Sequence, residues 1–322
     1  MKSKRILVTG CDGFVAANLV IKLLDLNYTV IGIYKNNKKL NPFNKLKNKN
    51  FIRIKLDINN KRNLQKLFEQ YKFDCIFHLA AISQVLTSNK FPYYNYKTNI
   101  FGTINIFECI RMKCPETLVV FSSSDKAYGE SKTLPYKENF PLNGLNPYDA
   151  SKASADLIAR SYHKSFNLKV VVTRFVNIYG PGDTNWNRLI PGTIKSIFKK
   201  QKIIIRSNGK FLRDYLYIDD VVDGYIKILK LHNANFDKIY GKAINFGDNR
   251  PKSVLSVVIT ILNLNKMKIK DNVIVLNKKN LEIKDQYSSN QLSKKLLNWK
   301  PAINFEKGLK ETIKWYKKTY ID

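Results

Sequence analysis

Short apolar runs alternate with amphipathic stretches through the first half of the chain. Residues 6–9 form an apolar run too short for a helix, which predicts a buried strand. Residues 13–26 then place apolar side chains at helical spacing. Further strands are predicted at 29–34, 51–56, 74–78, 117–122 and 169–174, and helices at 60–71, 92–112 and 147–166. Repeated β-α units of this kind predict an α/β fold, a Rossmann-type doubly wound parallel sheet with helices on both faces. After Asn177 the pattern shifts to shorter mixed elements behind loops rich in glycine and asparagine. The expected division is a first domain over 1–178, with 212–248 returning to it, and a smaller mixed α/β domain over 179–322. The Lys/Asn-rich stretch 35–50 is expected to be an exposed loop.

Composition changes this picture little. The chain has 322 residues, 44% of them hydrophobic, enough for a well-filled core. It contains no apolar run long enough to cross a membrane, and the apolar run after Lys4-Arg5 is too short for a signal peptide. A cytoplasmic protein is therefore expected. Cys11, Cys75, Cys109 and Cys114 include no C-x-x-C pair and have only three histidines as possible co-ligands. That argues against a disulfide framework or a metal site. The net charge of +31 suggests nucleic acid at first. Lysine supplies most of it, however, arginine forks are scarce, and the charges are spread along the chain, so a solvated basic surface is expected instead.

The loop after the first strand reads Thr9-Gly10-Cys11-Asp12-Gly13-Phe14-Val15-Ala16. Gly10 and Gly13 suit a sharp turn whose backbone approaches a pyrophosphate, with the following helix N-terminus aimed at it. The third position of this pattern is Ala16. The acid that commonly ends the second strand and binds the adenosine ribose is missing: Tyr34 stands there, followed by Lys35. Lys35 or Lys38 is placed either to meet a 2′-phosphate or simply to face solvent. NAD is the expected cofactor, with NADP left open. Asp57, after the third strand, suits either contact with adenine or a helix cap.

Asn146-Pro147-Tyr148 suits a helix start, with Asn146 as N-cap. Tyr148 and Lys152 lie four apart and share one face. A free tyrosine is a poor base at neutral pH, and a neighbouring ammonium is expected to lower its pKa so that it can take a hydroxyl proton. The spacing alone is common. Behind a glycine loop and the serine run Ser122-Ser123-Ser124 it gains weight.

Taken with His78-Leu79-Ala80-Ala81, with 174–181 and with 213–220, these segments resemble the extended short-chain dehydrogenase/reductase family over essentially the whole chain. The resemblance implies a sheet that binds NAD(P) and a C-terminal part that closes over a nucleotide sugar. It implies cofactor contacts from Gly10, Asp12, Gly13, Phe14, Val15, Asp57, Ile58, Leu79, Ala80, Ala81, Asn99, Ser122, Tyr148 and Lys152. It implies substrate contacts from Ser83, Gln84, Asn177, Arg188 and Arg213, and a homodimer or homotetramer packed through the helices near 92–112 and 147–166. His78 is expected to pack at a strand end rather than act as a base.

Ser124-Asp125-Lys126 is similar to the nucleotide-sugar 4,6-dehydratases, and aspartate followed by lysine resembles the CDP-glucose 4,6-dehydratase branch. In that chemistry Tyr148 and Ser124 serve C4 oxidation, and Asp125 protonates the departing C6 hydroxyl. Lys126 serves as C5 base or enolate stabiliser. The competing readings are a local Asp125–Lys126 ion pair, a 4-epimerase or 4-dehydrogenase, and a non-catalytic nucleotide- or RNA-binding protein.

Overall fold

Ile6, Leu7 and Val8 are fully buried in strand β1 (Arg5–Thr9), as a strand covered on both faces requires. The structure, a computed structural model, describes residues 4–36, 43, 46–278 and 283–320. β2 (Thr29–Tyr34), β3 (Phe51–Lys55), β4 (Cys75–His78), β5 (Leu118–Ser122) and β6 (Val170–Phe175) follow. Between them run α1 (Phe14–Asp25), α2 (Lys61–Gln70), α3 (Val85–Lys90), α4 (Pro92–Tyr96), α5 (Gly102–Lys113) and α6 (Pro147–Phe166).

The later elements are β7 (Asn177–Tyr179), α7 (Leu189–Phe198), β8 (Ile203–Ile205), β9 (Leu212–Arg213) and β10 (Tyr215–Tyr217). They continue with α8 (Ile218–Asn233), β11 (Ala243–Phe246), β12 (Lys252–Ser253), α9 (Val254–Leu264), α10 (Ile269–Asn272), β13 (Val273–Val275), α11 (Gln291–Leu297) and α12 (Phe305–Tyr320).

The main sheet has seven strands in the order β11-β6-β5-β4-β1-β2-β3, and every pairing is parallel. Side chains alternate between its faces. Ile6 and Val8 join α1 and α8 residues such as Leu19, Leu23, Val221 and Tyr225 in one core. Leu7 joins Leu64, Phe107, Ile110, Ala155 and Ala159 of α2, α5 and α6 in the other. The chain builds outward from β1 to β3, then returns to start β4 on β1's other side. The strand order therefore reverses between β1 and β4, and a ligand crevice opens beyond the carboxyl ends of such a pair.

The helix expected over 92–112 is interrupted. Between α4 and α5, residues Lys97–Phe101 form a wide π turn. A Cβ on Gly102 would stand 2.6 Å from Ile58 Cδ1, so the helix there rests almost directly on the loop after β3. The extra residue in the turn aims Asn99 inward, a common use of π turns near functional sites. α3 lies in a stretch where no element was expected. Asn146 takes the N-cap position of α6, but its amide donates to Asp149 Oδ2 at 3.2 Å and its side chain caps no backbone N–H. Half of the stretch 35–50 lies outside the described residues, although Phe43 is buried against Phe51. No helix among the described residues is long and apolar enough to cross a membrane.

Candidate active site

Thr9 ties the reversal point together. Its hydroxyl accepts the N–H groups of Leu79 and Ala80 at 3.1 and 3.0 Å, so the loops leaving β1 and β4 move as one. Gly10 has φ +68°, and a Cβ there would fall 2.8 Å from Ala80 Cα. Gly13 begins α1 with no side-chain cap, and the first turn of α1 carries no acid. The N–H groups of Phe14 and Val15 thus have no intrahelical partner and present a bare positive dipole end. Gly10 and Gly13 leave a cradle that side chains would fill, and the N-terminus above it suits a pyrophosphate, so these residues fit a dinucleotide. Ala16 is buried in the core behind the loop. Gly10→Ala is expected to weaken dinucleotide binding about tenfold or more, since a left-handed alanine alone costs roughly 1–2 kcal/mol. Quenching of protein fluorescence on titration with the dinucleotide checks it.

At the adenosine end the structure supplies a different set from the one expected. Asp12 is buried, and Arg53 Nε donates to its Oδ1 at 3.0 Å while a second guanidinium nitrogen engages Oδ2. Arg53 also stacks 3.7 Å over the Tyr34 ring. Asp12 therefore braces Arg53 rather than standing open to the cofactor. Lys35 is exposed, as one of its two expected placements has it, but its ammonium is engaged: it pairs with Asp57 at 2.6 Å and donates to Tyr94 Oη at 2.8 Å. Against the cost of burial, Lys35 and the Asn59 N–H hold the Asp57 carboxyl below its ordinary range. Asp57 is not the cap of α2, because Asn60 accepts from Asn63 N. Ile58 is buried beside it, and Lys38 lies outside the described residues.

Asn99 has its amide fully used by protein. It exchanges bonds with the Ile82 backbone at 2.8 and 3.1 Å and donates to Asn95 and Ser151. It holds the loop after β4, including Ala81, against α6. Ser83 and Gln84 are exposed at the start of α3, where Gln84 Oε1 accepts from Thr87. His78 is fully buried, bonded to Thr9 and Thr103, and burial followed by the Lys152 charge lowers its pKa to about 3. It is a packed neutral residue, as expected.

The reactive end lies where α6 crosses the carboxyl end of β5. Lys152 Nζ donates to the Ser122 carbonyl at 2.7 Å, and burial brings its pKa down to about 8. Burial pushes Tyr148 up to about 12, opposed first by the Arg188 charge and then by Ser124. The expectation that Lys152 lowers the phenol directly is not met. Its long chain runs to Ser122 rather than along the helix to Tyr148, and Arg188 is the cation that acts on the phenol. Arg188 precedes α7 and donates to Asp183 Oδ2 at 3.1 Å.

Ser124 Oγ also donates to Asp125 Oδ1 at 3.1 Å. Asp125 is 2% exposed, and its Oδ2 has no hydrogen-bond partner. Burial raises its pKa, opposed by Lys126 and Ser124. A carboxyl in that position favours its protonated form. The bland reading of Asp125 and Lys126 as a closed ion pair does not account for the unpartnered oxygen. Asp149, next to Tyr148 in sequence, is likewise buried with an unpartnered Oδ1 and a raised pKa, from burial first.

Two expected substrate ligands are engaged otherwise. Arg213 donates to the carbonyls of Leu212, Lys284 and Ile283 at 2.8, 2.7 and 2.6 Å, clasping the 283–284 segment instead of presenting its fork to a diphosphate. Asn177 Nδ2 donates to the Asp214 carbonyl at 3.2 Å. The sequence reading missed Asp149, Arg53, Asp214 and Gln286. Asp149 was signalled by its place beside Tyr148. The others come from distant segments and carry no local mark.

The family model described as GDP-mannose 4,6 dehydratase matches residues 7–312. A UDP-glucuronate 4-epimerase of Thermodesulfobacterium geofontis is 32% identical over 97% of this chain and 95% of its own length. The dTDP-glucose 4,6-dehydratase of Bacillus anthracis, solved with NAD, has a TM-score of 0.86 and 29% identity, covering 99% of this chain and 98% of that one. The UDP-glucuronic acid 4-epimerase of Bacillus cereus, solved with UDP-glucuronic acid and NAD, has a TM-score of 0.88 and 27% identity over 98% of this chain and all of that one, 100%. A parallel sheet reversing at a glycine cradle, with Tyr148 and Lys152 at its rim, agrees with a match spanning nearly the whole chain: the protein belongs to the GDP-mannose 4,6-dehydratase family of nucleotide-sugar dehydratases and epimerases, within the extended short-chain dehydrogenase/reductases.

Proposed function

We propose that this protein is a nucleotide-sugar 4,6-dehydratase using NAD, the cofactor held by both solved relatives above. The observation that carries the reading is Asp125, a buried carboxyl with one oxygen on Ser124 and the other unpartnered, close enough to Tyr148 for its charge to act on the phenol. Moving a hydride to and from C4 needs no such acid. Expelling the C6 hydroxyl as water does.

Tyr148 takes the proton of the C4 hydroxyl while Ser124 holds that oxygen. A bound oxidised dinucleotide would supply the acceptor for the C4 hydride and give that hydride back for C6. The C4 ketone acidifies the C5 hydrogen, and Lys126 serves that end as base or as the cation facing the enolate. Asp125 gives its proton to the C6 hydroxyl, which leaves as water. A proton returned to C5 completes a 4-keto-6-deoxy sugar. The Asp125-Lys126 pair favours CDP-glucose as substrate. Exposed Phe101, Met112 and Leu157 on the outer faces of the helices near α5 and α6 support a homodimer through those helices.

Incubation of the purified protein with CDP-glucose and other NDP-hexoses tests the reading. An alkali-absorbing 4-keto-6-deoxy product is expected, with no net reduction of the dinucleotide. The 32% identical epimerase gives weight to a second reading, 4-epimerisation. Recovery of a C4 epimer alone would establish that reading, and stoichiometric reduced dinucleotide would establish a 4-dehydrogenase.

A further inference from the structure

Lys126 reaches an unexpected partner: its ammonium donates to Oε1 of Gln286, 160 residues away in sequence. Gln286 is completely buried, and its backbone is pinned on both sides. Its N–H donates to Leu212 O at 3.0 Å, and its carbonyl accepts from Asp214 N at 3.2 Å. The segment around it is locked further by Arg213 on the carbonyls of Ile283 and Lys284, and by Asp285 Oδ1 accepting from Leu212 N at 2.9 Å. Tyr136 pairs with the same segment through Tyr287 O and Ser289 N. These bonds fix the backbone at Gln286, and its buried side chain, with Nε2 unpartnered, meets Lys126 from a rigid segment rather than from the surface.

The charged and titratable groups around Lys126 give that contact a task. Asp125 and Asp149 both feel the Lys126 charge from the 125–128 turn and from α6. Arg213 and Asp214, from β9 and the residue after it, act on Asp125 as well. Tyr136 and Tyr148 complete the surroundings. An ammonium drawn onto Asp125 would hold that carboxyl ionised and remove the acid that elimination requires. A neutral amide oxygen holds the ammonium without adding negative charge.

We propose that Gln286 is a positioning residue: it fixes the Lys126 ammonium at a set place beside Asp125 and Asp149, so that Lys126 faces C5 as a cation and is not drawn onto Asp125. The elimination part of this proposal rests on the dehydratase reading. The placement of Lys126 does not.

Two variants test it, both leaving the backbone pairing of residue 286 in place. Gln286→Glu puts a carboxylate against the ammonium, and Gln286→Leu removes the acceptor. Competitive acetylation of Lys126 across pH, read by mass spectrometry without any sugar present, is expected to show its titration moved up in Gln286→Glu and down in Gln286→Leu. An unchanged Lys126 titration in both variants would overturn the placement whatever reaction the enzyme performs. In single turnovers with the sugar nucleotide, Gln286→Leu is expected to slow decay of the reduced dinucleotide roughly 10- to 100-fold, the worth of one hydrogen bond to a charged group. The rise of the reduced dinucleotide should be unchanged. Equal slowing of rise and decay would reduce Gln286 to a purely structural residue. Failure of the wild-type enzyme to make a 4-keto-6-deoxy sugar, with the Lys126 titration still shifted as expected, would refute the dehydratase reading alone.

Discussion

Asp125→Asn is expected to lower formation of the 4-keto-6-deoxy product by roughly 10²- to 10⁴-fold, the range associated with a general acid. Asparagine retains a group for Ser124 to bond but has no proton to give the C6 hydroxyl. C4 oxidation should survive, so reduced dinucleotide accumulates in a stopped-flow trace where the wild type shows only a transient. Tyr148→Phe is expected to abolish that rise itself. Loss of C4 oxidation in both variants to the same degree would remove Asp125 from the elimination step.

The pH dependence follows from the direction of the shift. Burial raises the Asp125 pKa in the folded protein, while the unfolded residue ionises at about 3.9. The acid is present at low pH and is lost as pH rises through the raised value, which places it on the alkaline limb of the elimination rate. The same linkage makes the folded state bind more protons than the unfolded one across that window. Stability contributed at this residue therefore declines as pH rises through it. Asp125→Asn, which cannot ionise, is expected to melt at a higher temperature than wild type at neutral pH, a gain in stability set against lost chemistry.

Asp156→Ala is expected to destabilise the protein by about 3–5 kcal/mol, the cost of stranding a buried charge. Asp156 and Arg174 are both fully buried and joined by two bonds of 2.8 Å. Arg174 also donates to the Tyr128 hydroxyl at 2.7 Å, and Tyr128 donates to Asn245 Oδ1 at 2.8 Å. The pair thus fastens α6, which carries Tyr148 and Lys152, to β6 and to the 125–128 turn that carries Asp125 and Lys126. Urea unfolding monitored by tryptophan fluorescence measures the loss. Replacing both partners with apolar residues, Asp156→Leu with Arg174→Met, is expected to cost less than Asp156→Ala alone, because no unpaired charge remains. A double variant as unstable as the sum of the two single variants would mean that Asp156 and Arg174 act independently and not as a coupled pair.

The strand positions were legible because parallel strands buried on both faces must be apolar throughout, as Ile6 to Val8 and Val170 to Val172 are. The glycine loop and the Tyr148/Lys152 spacing were legible because each is local: a turn and one helix face are set by residues a few positions apart. The adenosine end was not. Arg53 reads in sequence as an ordinary charge in a half-exposed strand, and β2–β3 pairing brings it over Tyr34 and onto Asp12. Arg213 had the residue type expected of a diphosphate ligand, but the 283–284 carbonyls take its donors.

By itself the sequence determined where the strands fall, the glycine turn after β1 and the Tyr148/Lys152 helix face, because periodicity and short spacing follow from backbone geometry. The tertiary structure alone decided how those residues are charged and held. It sends Lys152 to the Ser122 carbonyl, leaves Tyr148 at about 12 with the Arg188 charge opposing the rise, and buries Asp125, which raises its pKa. Desolvation and long-range hydrogen bonds set protonation, and both depend on which distant segments the fold packs together.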